Sequence, residues 1–264
     1  MKLPEPLEHP VPRLAALVLA AGLGTRMRPF TDTVPKPLLT VGNEELLEHA
    51  LGNAGRFTSK IAVNTHYLAG QVEAFVAGRG VHVSHEPELL GTAGAVGAIR
   101  DWLDGDDVLI LNSDTWLASV PDDFVDSWDR RRPRLLVKDV GRPSDFSTFR
   151  FIGASLLPGG MARGLAATPS GLYERVWLPG RDSLDLVVTD VAAFDCGTPE
   201  EFLRANLAVS DGAPVIHPTA RPGGPAYRSV FLRDATSPAG HSSVGEIRDG
   251  AGHVYVSPTA EEHR

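Results

Sequence analysis

The chain has 264 residues and a formal net charge of −8, with 25 Lys and Arg against 33 Asp and Glu. This length predicts one main domain with an appendage, because domains usually hold roughly 100 to 200 residues. The acidic balance argues against a general nucleic-acid or anionic-membrane binder, since such proteins usually carry a basic face.

Cysteine usage and hydropathy predict where the protein works. The one cysteine, Cys196, excludes an internal disulfide and a cysteine-built zinc site, and it favours a reducing compartment. No apolar run approaches the length that crosses a bilayer. Residues 1–13 lack the basic-then-apolar order of a signal peptide. We therefore expect a soluble, cytoplasmic protein with an N-terminal extension over residues 1–13.

The first half of the chain alternates apolar runs with amphipathic segments. The apolar runs predict strands at residues 14–19, 60–65, 81–83 and 108–111. The amphipathic segments predict helices, the first capped by Asn43 and the later ones over residues 71–77 and 95–103. Such alternation indicates βαβ units, and therefore an α/β fold with a doubly wound, mostly parallel, Rossmann-like sheet.

The second half predicts fewer regular elements. Strands are expected at residues 135–137 and 151–157, and a helix capped by Thr198, with Pro199 at its first position and Glu201 completing a capping box. The charged run over residues 129–134 predicts a solvated surface. Beyond residue 210, short β segments alternate with Gly and Pro turns. They predict either a degraded β-solenoid or a simple β-rich tail, so we divide the chain into a main domain, 14–210, and a C-terminal extension, 211–264.

A glycine-rich loop follows the first predicted strand and suits an anion. Gly22 and Gly24 allow successive backbone N–H groups to turn toward one point. Arg26 could clamp phosphate oxygens, and Lys36, fixed between two prolines in an expected exposed loop, could add a point charge. A dinucleotide site would need a third glycine that opens a helix, and a kinase or NTPase loop would need Gly-Lys-Ser/Thr. The sequence has neither.

The loop Ala-Ala-Gly-Leu-Gly-Thr-Arg and the segment Pro-Lys-Pro-Leu together resemble the sugar-1-phosphate nucleotidylyltransferases, also called nucleotide-sugar pyrophosphorylases. Residues 86–94, Glu-Pro-Glu-Leu-Leu-Gly-Thr-Ala-Gly, are similar to the family's base- and ribose-recognition segment, in the style of its guanylyltransferase and N-acetylmuramate-1-phosphate uridylyltransferase members. The resemblance implies catalytic roles for Arg26 and Lys36. It implies nucleotide contacts at Ala20, Ala21, Gly22, Leu23, Gly24, Thr25, Glu86, Gly91 and Thr92, and substrate contacts at Asn112 and Gly153.

Two further segments resemble the family's metal-binding motifs. Leu-Asn-Ser-Asp, ending at Asp114, resembles Leu-Asn-Gly-Asp, and Phe-Asp-Cys-Gly-Thr-Pro resembles Trp-x-Asp-x-Gly-Thr-Pro. The resemblance implies that Asp114 and Asp195 hold the cofactor Mg²⁺, a hard cation that prefers carboxylate and phosphate oxygens. We expect Asp185 and Asp190 in surface loops. Cys196 is expected to be a packed side chain rather than a nucleophile.

The sequence departs from the family's pattern at the sugar-phosphate site. Family members usually carry a β-hairpin with a glutamate-lysine pair there, whereas residues 138–151 are short and lack that pair. Lys138, Arg142 or Arg150 could substitute for the lysine.

The resemblance implies Mg²⁺-dependent transfer of a nucleoside monophosphate from an NTP to a sugar-1-phosphate, which yields an NDP-sugar and pyrophosphate. GTP is favoured and UTP comes next, because a carboxylate such as Glu86 or a loop carbonyl could accept from the guanine N1–H and N2–H₂. Two alternatives stay open: a cytidylyltransferase for a non-sugar phosphate such as phosphocholine, and a non-catalytic nucleotide-binding regulator. Neither a nucleic acid nor a membrane is expected as a partner.

Overall fold

The computed structural model describes residues 13–258, so the N-terminal extension expected over residues 1–13 lies outside the described residues except for Arg13. The strands, in chain order, are β1 (Leu14–Leu19), β2 (Thr40–Val41), β3 (Glu44–Glu45), β4 (Ile61–Thr65), β5 (His82–His85), β6 (Asp107–Asn112), β7 (Thr115–Leu117), β8 (Arg134–Ser144), β9 (Ser147–Leu157), β10 (Asp185–Val188), β11 (Ala193–Asp195), β12 (Val215–Ile216), β13 (Ala226–Tyr227), β14 (Val230–Phe231), β15 (Ser243–Val244), β16 (Glu246–Arg248) and β17 (Val254–Val256). The helices are α1 (Leu46–Gly55), α2 (Ala69–Val76), α3 (Gly91–Ala98), α4 (Arg100–Leu103), α5 (Asp122–Asp126), α6 (Gly159–Arg163) and α7 (Pro199–Val209). Short 3₁₀ turns cover Thr25–Met27, Lys36–Leu38 and Arg181–Ser183, and a π-helical turn covers Tyr173–Trp177. Within residues 13–258, no helix has both the length and the apolar character needed to cross a membrane.

A seven-stranded sheet has the order β10-β8-β9-β6-β1-β4-β5. β1 pairs in parallel with both β4 and β6, and β4 pairs in parallel with β5. β9 is antiparallel to both of its neighbours, β6 and β8. The chain therefore builds the sheet first to one side of β1 and then to the other, which confirms the expected doubly wound, mostly parallel α/β fold. Ligands of such sheets bind beyond the carboxyl ends of the strands where the order reverses.

β1 is apolar throughout because helices cover both faces of the sheet. Ala16 and Val18 belong to the core that also contains residues of α1. Ala15 and Leu17 belong to the core on the opposite face, which contains residues of α3. Burying a Val or Leu side chain contributes roughly 1.5–3 kcal/mol. The strand expected over residues 14–19 is confirmed with the same bounds.

The first helix begins differently from the expectation. Asn43 does not cap it, but lies in the turn between β2 and β3. Gly42 and Asn43 have φ values of 64° and 69°, and a two-residue hairpin turn of type I′ requires such a pair of positive angles. Glu45 takes the N-cap position instead, and α1 starts at Leu46.

The helix expected over residues 95–103 is two helices, α3 and α4, and α3 begins earlier than expected. Glycines place α3 against the backbone of a neighbouring loop. A Cβ on Gly94 would lie 2.5 Å from the carbonyl oxygen of Thr168, and one on Gly97 would lie 2.4 Å from that of Ala166. Part of the Gly-Thr-Ala-Gly pattern therefore serves close packing.

The charged run over residues 129–134 is not solvated at its end. Arg134 is buried, its Nε donates to Oδ2 of Asp185 at 2.7 Å, and its guanidinium also donates to the Phe124 carbonyl. Asp185 therefore lies in β10 and not in a surface loop. The expectation for Asp185 was wrong, and that for the charged run was wrong at Arg134, because β10 joins β8 at the edge of the sheet and aligns Asp185 with Arg134.

Residues 138–151, which lack the family's glutamate-lysine pair, nevertheless form a hairpin. β8 and β9 run together as far as Ser144 and Ser147, and Lys138 lies opposite Arg150. Lys138, Arg142 and Arg150 do not line the cavity at the carboxyl ends of β1 and β6 that is described below.

The C-terminal extension contains small β-sheets built largely from parallel pairs. Parallel pairing aligns Val215 of β12 with Val230 of β14, and Val230 with Ile247 of β16. A second parallel pair joins β13 and β15. Parallel pairs between successive short strands require the chain to return to the same side after each turn. This arrangement is that of a β-solenoid, one of the two expected for the tail.

The extension packs directly on the part of the chain that follows the glycine-rich loop. Ile247 shares one hydrophobic cluster with Met27 and Phe30. The Tyr255 hydroxyl donates to Oε2 of Glu200, in α7, at 2.6 Å. The boundary at residue 210 stays a prediction, and the two sides of it share a core.

Candidate active site

A cavity of about 400 Å³ opens beyond the carboxyl ends of β1 and β6, where the strand order of the sheet reverses. Many of the residues singled out in the sequence line it, namely Ala20, Ala21, Gly22, Leu23, Gly24, Thr25, Arg26, Lys36, Gly91, Thr92, Asn112 and Asp114. Further lining residues were not singled out, and they include Asn64, Leu89, Ser113 and Gly197. Glu86, Gly153 and Asp195 do not line it.

The glycine-rich loop is held by its own backbone. Gly24 has φ +63°, a left-handed conformation that favours glycine. Its carbonyl accepts from the Met27 N–H at 2.9 Å and from the Thr31 hydroxyl at 2.8 Å. A Cβ on Gly24 would also crowd Thr31 and Lys36. By contrast, nothing lies within 4 Å of a Cβ built on Gly22, which faces open space.

Lys36 is buried, whereas the sequence predicted an exposed loop. Its side chain is 7% exposed, and Nζ lies 3.1 Å from Oδ2 of Asp114. The expectation was wrong because the flanking prolines lead into a 3₁₀ turn that directs the ammonium inward. Lys36 therefore presents a fixed charge beside the carboxylate that ends the β6 segment.

Arg26 is exposed and lies over Gly197. A Cβ on Gly197 would lie 2.9 Å from one guanidinium nitrogen of Arg26 and 3.0 Å from Oδ1 of Asp195. Within residues 13–258 Arg26 forms no hydrogen bond or close ion pair, and its charge acts on Asp195, whose pKa it lowers. Because Gly197 has no side chain, the Arg26 guanidinium and the Asp195 carboxylate can both lie against its backbone.

Asp114 and Asp195 come together through a small antiparallel sheet. β7 pairs with β11 so that Asp195 lies opposite Thr115, and the Cys196 N–H donates to the Asp114 carbonyl at 3.1 Å. Partial desolvation by the surrounding protein raises the pKa of the Asp195 carboxyl above its ordinary value, although the residue keeps exposed surface. The charge of Asp114 raises this pKa further, whereas Lys36 lowers it.

Thr198 caps α7 as expected, but the capping box is incomplete. The Thr198 side-chain oxygen accepts from the Glu201 N–H at 3.3 Å. The Thr198 hydroxyl itself donates to the Glu201 carboxylate at 3.0 Å. The cap begins α7 immediately after the Asp195 motif.

Glu86, one of the two guanine acceptors considered from the sequence, does not line the cavity. The residue is 1% exposed. Its Oε1 accepts from the Asn64 amide at 2.8 Å, and its Oε2 accepts from the Leu90 N–H at 2.9 Å. Both oxygens are engaged by neighbouring residues, whereas Leu89, Gly91 and Thr92 line the cavity.

Gly153 lies behind the cavity, close to Asn112. Its φ is +94°, and an added Cβ would lie 3.3 Å from Cβ of Thr115 and 3.5 Å from Cβ of Asn112. Thr92 lines the cavity and also stabilises the fold, because its hydroxyl oxygen accepts from the Leu172 N–H at 2.7 Å.

A family model described as nucleotidyl transferase matches residues 15–147, which is half of the chain. The chain belongs to the nucleotidyl transferase family. Every element that forms the cavity up to Asp114 lies within the matched segment, whereas Asp195, Gly197 and the C-terminal extension lie beyond it.

This nucleotidyl transferase is similar in sequence to named sugar-1-phosphate transferases and in structure to a solved transferase. Mannose-1-phosphate guanylyltransferase catalytic subunit beta of Danio rerio is 27% identical over 266 residues, which cover 87% of this chain and 74% of that protein. N-acetylmuramate alpha-1-phosphate uridylyltransferase of Neisseria meningitidis serogroup B is 39% identical over 110 residues, 38% of this chain and 47% of that protein. A crystal structure described as mannose-1-phosphate geranyltransferase from Thermus thermophilus has a TM-score of 0.69 at 17% identity, and covers 95% of this chain and 97% of that chain. The structural likeness shows a common fold.

The two carboxylates of this nucleotidyl transferase fit Mg²⁺. Within residues 13–258 no group of three or more His, Cys, Asp or Glu side chains could hold a metal ion. Mg²⁺ is usually held by one or two carboxylates together with substrate phosphates and water, so Asp114 and Asp195 form a sufficient set. Desolvation is the main cause of the raised Asp195 pKa and the charge of Asp114 adds to it, so a cation at this place would favour the charged carboxylate.

Cys196 is packed, as expected, and we predict that its thiol does not react in the folded protein. Burial raises the pKa of this thiol to about 12, so the thiolate is nearly absent at neutral pH. Alkylation at pH 8 should be at least a hundredfold slower in the native protein than in denaturant, which mass spectrometry measures directly. Equal rates would contradict this.

We predict that Gly197→Ala lowers activity without unfolding the protein. The new methyl group displaces Arg26 or Asp195, and a misplacement of about 1 Å costs roughly ten- to a hundredfold in kcat/KM. Gly52→Ala is the matched control, because nothing lies within 4 Å of its added Cβ. Steady-state kinetics and thermal unfolding of both variants test this, and a Gly197→Ala enzyme as active as the control would refute it.

Proposed function

We propose that this nucleotidyl transferase transfers a nucleoside monophosphate from an NTP to a sugar-1-phosphate and releases pyrophosphate, with a preference for GTP and a requirement for Mg²⁺. One observation carries the proposal: a single cavity at the reversal of the sheet contains the glycine-rich loop, Arg26 and the Lys36–Asp114 pair. The names of the sugar-1-phosphate guanylyl- and uridylyltransferase relatives support the substrate class.

The proposed reaction needs no general base from the protein. A phosphate oxygen of the sugar-1-phosphate, already anionic near neutral pH, attacks the α-phosphorus of the NTP. A new P–O bond forms while the bond to the bridging oxygen breaks, and the electron pair leaves with pyrophosphate. Arg26 and Lys36 then stabilise the negative charge on the phosphates in the transition state.

The chain supplies positioning for this reaction. The backbone N–H groups of residues 22–24 form the anion cradle for the triphosphate. Lys36 is held in place by burial and by Asp114. Asp114 and Asp195 would hold Mg²⁺, which would supply positive charge to neutralise the reacting phosphates.

The base preference rests on the segment that begins α3. Its Leu-Gly-Thr-Ala-Gly sequence resembles guanylyltransferases, and the Danio rerio relative has that name. Because the Glu86 carboxylate is engaged by Asn64 and Leu90, we assign the guanine N–H donors to backbone carbonyls of the segment before α3. Leaving those donors unpaired would cost roughly 1–3 kcal/mol, which favours the correct base by about ten- to a hundredfold.

A pyrophosphate-release assay tests the proposal. GTP, UTP, dTTP, CTP and ATP are each combined with mannose-1-phosphate, N-acetylmuramate-1-phosphate and phosphocholine, in the presence and absence of Mg²⁺. We expect the highest kcat/KM with GTP, a sugar-1-phosphate and Mg²⁺. A tenfold preference for UTP would refute the base assignment and leave the reaction class standing.

The same assay separates the two alternatives. Activity with CTP and phosphocholine alone would favour the non-sugar cytidylyltransferase. Tight NTP binding in calorimetry without turnover of any pair would favour the non-catalytic regulator. The proposal requires neither a nucleic acid nor a membrane partner, and it keeps the cytoplasmic location expected from cysteine usage.

A further inference from the structure

Two buried polar side chains connect the two loops that border the cavity. The Ala20 N–H donates to Oδ1 of Asn64 at 2.7 Å. The Asn64 amide donates to Oε1 of Glu86 at 2.8 Å, and the Leu90 N–H donates to Oε2 of Glu86 at 2.9 Å. Three hydrogen bonds therefore join the start of the glycine-rich loop to the start of residues 90–92.

The sheet places these two side chains together. Asn64 lies near the carboxyl end of β4, and Glu86 follows β5, its parallel neighbour. They are 3% and 1% exposed, so each unpaired polar atom would be costly. The main chain of Glu86 is also fixed, because its N–H donates to the Thr65 carbonyl and its carbonyl contacts Nδ1 of His66 at 2.8 Å.

We propose that Asn64 and Glu86 are a positioning pair that sets the separation of the glycine-rich loop from residues 89–92, and with it the fit of the nucleotide between them. The proposal rests on the proposed function, because that function places the nucleotide in this cavity. Glu86 touches no substrate. It acts through the Leu90 N–H on one side and through Asn64 and the Ala20 N–H on the other.

The polarity of the hydrogen bonds makes the pair testable. Each carboxylate oxygen of Glu86 accepts a hydrogen bond from an N–H group. In Glu86→Gln the new NH₂ group faces one of these two donors, so one hydrogen bond is lost. Asn64→Asp alone brings a carboxylate against the Glu86 carboxylate. In the double variant, the new carboxylate at position 64 accepts from Ala20 and from the new amide, whose oxygen accepts from Leu90. All three hydrogen bonds return with one negative charge in total.

The experiment compares the wild type, Glu86→Gln, Asn64→Asp and the double variant. Calorimetry measures the Kd for GTP and UTP, and kinetics give separate KM values for the NTP and for the sugar-1-phosphate. We expect each single variant to bind the preferred NTP roughly tenfold more weakly, with the KM for the sugar-1-phosphate unchanged. The double variant should recover to within about threefold of the wild type, as expected for coupled neighbours.

Glu73→Gln is the matched control. Glu73 accepts from the Thr65 hydroxyl and contacts Nδ1 of His85, near the same ends of β4 and β5 but outside the cavity lining. The control should leave the NTP affinity unchanged. A purely structural role for Glu86 would instead lower the unfolding temperature and the active fraction without changing either KM.

Several results would overturn the proposal. Single variants that fold and bind the NTP like the wild type would do so, and so would a double variant that recovers neither folding nor affinity. Where the single variants do not fold, the double variant alone decides. A wild-type chain that binds no nucleotide would refute the proposed function instead. The unfolding temperatures of the four proteins would then still show whether the double variant restores the hydrogen bonds that each single variant loses.

Discussion

Replacement of Lys36 by alanine is expected to lower turnover by at least a hundredfold, or roughly 2.7 kcal/mol of transition-state stabilisation. The ammonium is buried beside Asp114, where it is preorganised and poorly screened by water, so its attraction for developing phosphate charge is strong. Steady-state kinetics should show the loss mainly in kcat, because the charge is needed most in the transition state.

Burial changes the choice of variants for this test. An alanine at position 36 leaves a space as well as a missing charge, so Lys36→Met, which keeps the apolar stem, is the better comparison. Lys60→Met is the matched control, because Lys60 pairs with Asp106 at 2.8 Å and does not line the cavity. A folded Lys36→Met enzyme with turnover like that of Lys60→Met would remove Lys36 from the mechanism.

Asp114→Asn and Asp195→Asn are each expected to abolish Mg²⁺-supported activity. The amide keeps nearly the same shape but replaces an anionic ligand of a hard cation with a neutral one. Calorimetric titration of Mg²⁺ in the presence of nucleotide should show weaker binding in both variants. Asp190→Asn, an exposed neighbour on the same segment, should behave like the wild type. Normal activity at low Mg²⁺ in either site variant would exclude that residue as a ligand.

Asp195→Asn should keep its thermal stability although it loses activity. Because partial desolvation raises the pKa of Asp195 in the folded chain, the folded state binds this proton more tightly than the unfolded state. The charged carboxylate therefore costs stability as the pH rises through the unfolded and then the folded pKa. At pH 7 the variant without metal should unfold at or above the wild-type temperature, and any difference should vanish in acid below both values. A large destabilisation at pH 7 would contradict this.

The sequence by itself determined the central strands and the position of the anion-binding loop. The run over residues 14–19 is apolar at every position, which is the pattern expected of a strand that is covered on both faces, as β1 is. A strand followed by Gly-x-Gly has one place in a doubly wound sheet, at the carboxyl edge. Motifs with local signals, such as the Thr198 cap and the loop of residues 20–25, therefore lie where the sequence indicated.

The tertiary structure alone decided which charged groups are buried and what they contact. Lys36 and Arg134 were expected to be exposed cations, yet each has an aspartate partner about 50 to 80 positions away in the chain. Glu86 lies in the segment that resembles the family's base-recognition segment, but one of its carboxylate oxygens accepts a hydrogen bond from Asn64 on the adjacent strand. Burial of a charge is stable only when a partner meets it, and partners are brought together by strand pairing and register. No local pattern records such pairing, so these contacts could not be predicted from the sequence.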